Sequence, residues 1–233
     1  MPPKPSPLLC ELHAHTTWSD GDLSLRELCD LYGRRGFDVL AVTDHAPREE
    51  REVHAANYDA YLADVRGEAL RARELYDLLV IPGLELTYDD ADPLHAGHAV
   101  AIGLRSYVDV SAGLEPALMA ARAQGAALVA AHPYSPEGLV TATRPTAAFG
   151  ARPELHELVD RFELFNRQTL FGWVAAAALP AVATGDFHRL QHLAGWKTLL
   201  PCPKNEPSVI SYLRSARPAY LVRLDDVAER LAA

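Results

Sequence analysis

Phe37-Asp38-Val39-Leu40-Ala41-Val42-Thr43-Asp44-His45 is the stretch whose reading decides the fold. Seven residues of strand length are apolar almost throughout, as a strand covered on both faces of a parallel sheet must be. The run ends abruptly in a carboxylate and an imidazole. Upstream, Ser24-Leu25-Arg26-Glu27 is a capping box opening a helix that closes near Gly33 or Gly36. Downstream, 58–76 repeats apolar residues at Tyr61, Leu62, Val65, Ala69, Leu70 and Leu75 between charges, which is helical spacing. Strand-length apolar runs recur at 8–13, 78–85, 98–104, 126–131, 161–165 and 181–184. Further helices are expected over 114–123, 170–179 and 207–215. The stretch 86–97 is polar and reads as a loop, and 141–151 as a flexible one. This alternation predicts an α/β fold. No glycine-rich turn follows the first strand, so a dinucleotide-binding fold is a poor reading. A distorted (β/α)7 TIM-like barrel fits better, with its site at the C-terminal ends of the strands.

Composition sets the outer limits. The chain has 233 residues, 49% hydrophobic and 23% charged, as in an ordinary folded domain. The expectation is one domain over 1–233 behind a short Pro-rich tail, 1–7. No apolar run approaches the roughly 18 residues of a membrane span. The start lacks a leader pattern, so a cytoplasmic protein is expected. The net charge of −9 argues against a broad face for duplex nucleic acid. The cysteines Cys10, Cys29 and Cys202 form no close pair and read as buried thiols.

Of ten histidines, six fall at strand ends or open a strand: His13, His15, His45, His98, His132 and His188. Asp20, Glu85 and Asp186 join them at or after strand ends. One mouth collecting these groups is a poor buried cluster without counter-ions. Imidazole and carboxylate suit divalent Zn, Mn and Fe. His13 and His15, like Asp186 and His188, are two apart and share a strand face. His98 opens its run, so it reaches the mouth only if that strand runs against the others. Three carboxylates against three divalent ions leave the mouth positive, which favours an anionic phosphate ester as substrate.

In this pattern the sequence resembles the PHP (polymerase and histidinol phosphatase) superfamily of metal-dependent phosphoesterases. The carrying motifs are His13-Ala14-His15 with Ser19-Asp20-Gly21, Thr43-Asp44-His45, Ala131-His132-Pro133 and Gly185-Asp186-Phe187-His188. Glu85 and His98 match two ligands between the second and third motifs. The resemblance implies a distorted barrel holding two or three divalent ions, Mn, Zn or Fe. His13, His15, Glu85 and Asp186 would hold one. Glu85 would bridge to a second, held also by His98 and His132. Asp20, His45 and His188 would hold the third; other members carry His at the position of Asp20. It implies hydrolysis of a phosphate ester by a metal-activated water. Asp44, His45 or His188 would orient water or the leaving group. Arg144, Arg167 and Arg189 follow three strands and are phosphate-clamp candidates, and Asn166 is a further candidate for the mouth. Asp44 is also expected to hold an imidazole from behind.

The expected partner is a small phosphorylated metabolite or nucleotide, with histidinol phosphate or a short oligonucleotide end (a 5′-to-3′ exonuclease) as alternatives. For a base, Trp18, Tyr134, Phe149 and Phe187 would be the stacking candidates. A metal-holding module without catalysis is the non-enzymatic alternative. The amidohydrolase variant built on a carboxylated mid-barrel lysine is excluded, because no lysine lies between Lys4 and Lys197. His54, His156 and His192 read as surface or structural, and His95 is a weaker candidate than His98.

Overall fold

The computed structural model describes residues 6–46, 52–141 and 146–224. All seven expected apolar runs are strands: β1 (Leu8–Glu11), β2 (Val39–Val42), β4 (Leu79–Tyr88), β5 (Gly97–Ile102), β6 (Ala127–Ala131), β7 (Arg161–Asn166) and β9 (Ala181–Thr184). Four more join them: β3 (His45–Ala46), β8 (Thr169–Leu170), β10 (Gly195–Leu200) and β11 (Tyr220–Leu224). The capping box forms as read. Ser24 Oγ accepts the Glu27 amide, and Glu27 Oε2 accepts the Ser24 amide at 2.9 Å, starting α1 (Leu25–Arg34). Helices α2 (Tyr58–Tyr76) and α3 (Leu114–Ala123) keep their expected bounds. Short α4 (Ala148–Ala151) and α5 (Gly172–Ala176) follow, then α6 (Glu206–Leu213).

One curled α/β sheet results, in the order β11-β10-β1-β2-β4-β5-β6-β7-β8, with β3 on β4 and β9 on β7. Its parallel pairs are β1–β2, β2–β4, β3–β4, β6–β7 and β7–β9. β5 runs antiparallel to both its neighbours, the direction His98 requires. β10 and β11 are also antiparallel. The strand count therefore departs from a regular seven-fold repeat. The 86–97 loop is shorter than expected, because Thr87 and Tyr88 pair with His98 and Gly97 and carry β4 onward. Only the middle of 170–179 is helical. Residues 169–170 instead fold back on β7 as a hairpin, fixed by the Phe171 amide donating to Leu164 O at 2.9 Å.

Alternation along the strands separates two cores. Leu40, Val42, Leu84, Ala99, Ala101, Leu128 and Ala130 meet the helices outside. Val39, Ala41, Ile81, Val100, Ile102, Ala127, Val129 and Val182 fill the inside, which α6 closes with Val209, Tyr212 and Leu213. Arg161, wholly buried, donates to the carbonyls of Tyr212, Leu213, Ser215 and Arg217. A cation there satisfies the unpaired carbonyls at the C-terminus of α6 and offsets its dipole. The sheet's two flanks meet near the site: His15 N donates to Phe187 O at 2.8 Å and Phe187 N to His13 O at 3.0 Å.

Candidate metal centre

β1 stops where its histidines begin, and Glu11 is the reason. Its Oε1 accepts the amides of Leu12 (3.1 Å), His13 (3.2 Å) and Gly185 (2.8 Å). Its Oε2 pairs with Lys197 of β10 at 2.7 Å and accepts the Tyr32 hydroxyl. Both charges are fully buried, so each depends on the other. Any Cβ at residue 185 would run into this carboxylate and ammonium, so only glycine fits the turn. One buried pair thus holds the His13-Ala14-His15 turn against the turn carrying Asp186 and His188.

Nine side chains converge above this base in three groups, each close enough to share an ion: His13, His15 and Asp186; Glu85, His98 and His132; and Asp20, His45 and His188 with His15. Glu85 on β4 stands between them. Its Oε2 lies 3.4 Å from both His13 Nε2 and His15 Nε2, and its Oε1 lies 3.1 Å from His98 Nδ1 and 3.0 Å from His132 Nε2. Asp20 Oδ1 reaches His188 Nε2 at 3.1 Å and His45 Nε2 at 3.4 Å. The rings crowd: His15 and His188 are 4.1 Å apart between centroids, and His15 and His45 4.4 Å. His95 stands exposed outside the cluster, near Asp92.

The electrostatics are divided. Burial pushes His13 down, but Asp186 and Glu85 outweigh it and hold it well above the ordinary imidazole range. Burial, with His45 and His188 alongside, drives His15 well below that range. Burial raises Glu85 and Asp186, yet the surrounding imidazoles hold both carboxyls well below the usual range. The orphaned atoms decide what fits. His13 Nε2 and His15 Nε2 are buried without a hydrogen-bond partner, and both face Glu85 Oε2, which also lies 2.9 Å from His45 Nδ1. An imidazole–carboxylate set left open in this way fits divalent Mn, Fe or Zn.

Over the centre lies a cavity of about 400 Å³. His45, Glu85, His98, His132, Asp186 and His188 form its base, and Tyr134, Asn166, Arg167 and Phe171 stand on its walls. His132, Arg167 and Asp186 have positive φ (30°, 55° and 42°). Non-glycine residues hold such angles where the surroundings impose them, often at functional sites.

The arginine and Asp44 expectations need revision. Arg144 lies outside the described residues. Arg189 is off the cavity wall, because its exposed side chain turns to His192, with Nε 3.3 Å from His192 Nε2. Arg167 takes the wall. The tight hairpin turn after β7 directs it inward, where it donates to Asp186 O (2.9 Å) and Asp186 Oδ2 (2.8 Å). Among the described residues Asp44 is bonded to no imidazole, and it is not on the wall. It accepts from Thr16 N (2.8 Å), Thr16 Oγ1 (2.9 Å) and Ser19 Oγ (2.7 Å), so it pins the loop leading to Asp20. Burial pushes its carboxyl up against the pull of those donors. Of the aromatic candidates, Tyr134 lines the cavity, whereas Phe149 and Phe187 are core and Trp18 packs on Tyr61. His156 Nε2 donates to Phe149 O at 2.7 Å, and the ring packs on Trp173 and Phe162. His192 supports the turn from Asp186 to His188 from behind, and burial beside Arg167 and His188 lowers it to about 4. The sequence reading missed Glu11, Lys197, Thr87 and Glu163, all buried and all behind the ring of converging side chains. Thr87 receives His45 Nδ1 at 2.8 Å.

Known proteins share this architecture. A two-domain protein from Bacteroides vulgatus ATCC 8482, containing a predicted PHP-like metal-dependent phosphoesterase, superposes on 95% of this chain and 67% of its own, with a TM-score of 0.69 and 19% identity. A candidate metal-dependent phosphoesterase from Bifidobacterium adolescentis ATCC 15703 covers 77% of this chain and 87% of its own, with a TM-score of 0.52 and 17% identity. At these identities the likeness speaks for the fold. The DNA polymerase/3′-5′ exonuclease PolX of Bacillus subtilis (strain 168) is 32% identical over 89 residues, 34% of this chain and only 15% of that protein. Among the described residues no helix is long and apolar enough to cross a membrane. The model of the PHP domain matches residues 11–150, more than half of the sequence and the span that supplies seven of the nine converging side chains; this chain belongs to the PHP domain family.

Proposed function

We propose that the chain is a metal-dependent hydrolase of small phosphate esters, a phosphomonoesterase acting on a phosphorylated metabolite or nucleotide. One observation carries the reading: buried imidazole atoms without a hydrogen-bond partner, His13 Nε2 and His15 Nε2, face Glu85 and Asp186, and those two carboxylates line a cavity with a guanidinium on its wall. His13, His15, Glu85 and Asp186 would hold one ion, Glu85, His98 and His132 a second, and Asp20, His45 and His188 a third. Bound divalent ions would supply Lewis acidity for phosphoryl oxygens and bring the pKa of water toward neutrality.

The chain's own residues do the rest. Glu85 reaches both halves of the centre and fixes their separation. Arg167, whose side chain is 36% exposed, offers its remaining N–H groups to an incoming phosphoryl group while bonded to Asp186. Arginine suits that task through its planar fork of donors. Asp20, half exposed at the rim, lies between His45 and His188. Burial pushes its carboxyl up, but the hydrogen bonds of His188 and His45 hold it well below the usual range, so it keeps a charged oxygen between them. Burial of the base excludes water from all but the cavity side, which strengthens each of these interactions.

A nucleotide is the favoured organic half. Tyr134 and Phe171 meet edge-to-face at 5.1 Å on the cavity wall, a surface on which a base can rest. The test is phosphate release with Mn²⁺ from histidinol phosphate, nucleoside mono- and bisphosphates, sugar phosphates and a short 5′-phosphorylated oligonucleotide, with a chelator control. Chelator-sensitive turnover of one class supports the proposal. No turnover by metal-loaded protein would favour a non-catalytic module.

A further inference from the structure

Glu163 contributes nothing to the cavity wall, yet it is fully buried among groups that do. Its Oε1 lies 2.9 Å from His13 Nδ1 and accepts the Thr184 hydroxyl at 2.6 Å. Its Oε2 accepts the backbone amide of His132 at 2.6 Å and Asn166 Nδ2 at 2.8 Å. Three donors and the His13 ring nitrogen surround two oxygens, and a carboxylate can only accept from them.

Two consequences follow for the centre. An acceptor at His13 Nδ1 places the ring proton there and leaves the lone pair on Nε2. Nε2 is the buried atom without a partner, 3.4 Å from Glu85 Oε2 and 3.6 Å from Asp186 Oδ1. The other oxygen acts on the backbone. His132 sits at φ 30°, a conformation that needs outside support in a non-glycine residue. The bond from its amide supplies that support, and the turn so held aims His132 Nε2 at Glu85 Oε1, 3.0 Å away.

We propose that Glu163 is a positioning residue that couples the two halves of the metal centre, one oxygen fixing the tautomer of His13 and the other the turn that aims His132. The proposal rests on the metal-dependent reading above. No charge on an ion is needed for it to act, because both contacts are made by the protein alone.

The test compares wild type with Glu163→Gln, whose amide must turn a donor toward one of those pairs. Zinc binding to metal-free protein is followed by calorimetry. Nitrogen-15 NMR of the histidine rings is recorded at alkaline pH, where the rings are neutral, with His13 assigned by difference against His13→Gln. Expected are an Nδ1–H tautomer for His13 in wild type, its loss in Glu163→Gln, and roughly 10- to 100-fold weaker zinc binding by the variant. An Nε2–H tautomer in wild type would overturn the proposal, and that spectrum needs no folded variant. So would a Glu163→Gln protein that binds zinc with unchanged stoichiometry and affinity. Failure of wild type itself to bind zinc would instead overturn the metal-dependent reading on which the proposal rests.

Discussion

At the lower end of the curled sheet the inward side chains are Ile81, Val100, Ile102, Ala127 and Val182, closed off by Val209 and Leu213 of α6. At the upper end the same strands and the turns beyond them carry Glu85, His98, His132, Asp186 and His188. Only a few residues separate Ile81 from Glu85, or Ile102 from His98. The lower end is stabilised by apolar burial at about 25 cal/mol per Å², and its buried cation, Arg161, is satisfied by backbone carbonyls at the end of α6. The upper end buries imidazoles and carboxylates with atoms left unpartnered, a costly arrangement unless something pairs them. Three of the described non-glycine residues with positive φ are also at this upper end. The difference teaches that the two ends have separate tasks: one supplies the stability that the other spends on chemistry.

Four experiments break or sharpen that contrast. The largest effect is expected for Asp186→Ala, which removes a carboxylate from the first group and the partner of Arg167. Phosphate release should fall by roughly 1,000-fold or more, with metal content falling in parallel; at ~1.4 kcal/mol per decade that is over 4 kcal/mol of transition-state stabilisation. Next is Ile102→Ala in the lower core. Urea unfolding should show a loss of about 2–5 kcal/mol, while kcat of the folded fraction is unchanged. If kcat fell with stability, the two ends would not be separate. Metal removal comes third. Calorimetric unfolding should show stripped protein less stable, with divalent ion at about 100 times its Kd restoring roughly 2.7 kcal/mol. The smallest effect belongs to Arg167→Ala, expected to raise KM about tenfold at constant metal content, as loss of one charge-assisted contact would. An unchanged KM would remove Arg167 from substrate binding.

Much of this contrast was legible in the sequence because it rests on local pattern. Uniformly apolar runs marked the strands, and the abrupt switch to His or Asp marked their upper ends. The position of His98 at the start of its run even required an antiparallel strand, which β5 is. What escaped was what distant pairing decides. β10 carries buried Lys197 in the middle of Gly195-Trp196-Lys197-Thr198-Leu199-Leu200, and its apolar pattern is broken by a charge whose partner, Glu11, is far away in the chain. β11 is an edge strand, partly exposed throughout, so it has no buried face to write into its sequence. Glu163 lay inside a correctly read strand, but its partner His13 is 150 positions away. Among the arginines, spacing after a strand offered Arg144, Arg167 and Arg189 without ranking them. Turn conformation decided which side chain entered the cavity, favouring Arg167 over Arg189.

The central claim is that the upper end is a metal centre which the fold is built to hold. The most direct measurement is the metal content per chain of protein loaded with Mn²⁺ or Zn²⁺ and dialysed, read by plasma mass spectrometry for wild type and for Glu85→Gln. Glu85 belongs to one of the three groups and reaches members of the other two, so the account predicts two or three ions per wild-type chain and the loss of more than one on the single substitution. Wild-type protein that keeps none, or a Glu85→Gln chain that keeps its full complement, would contradict it.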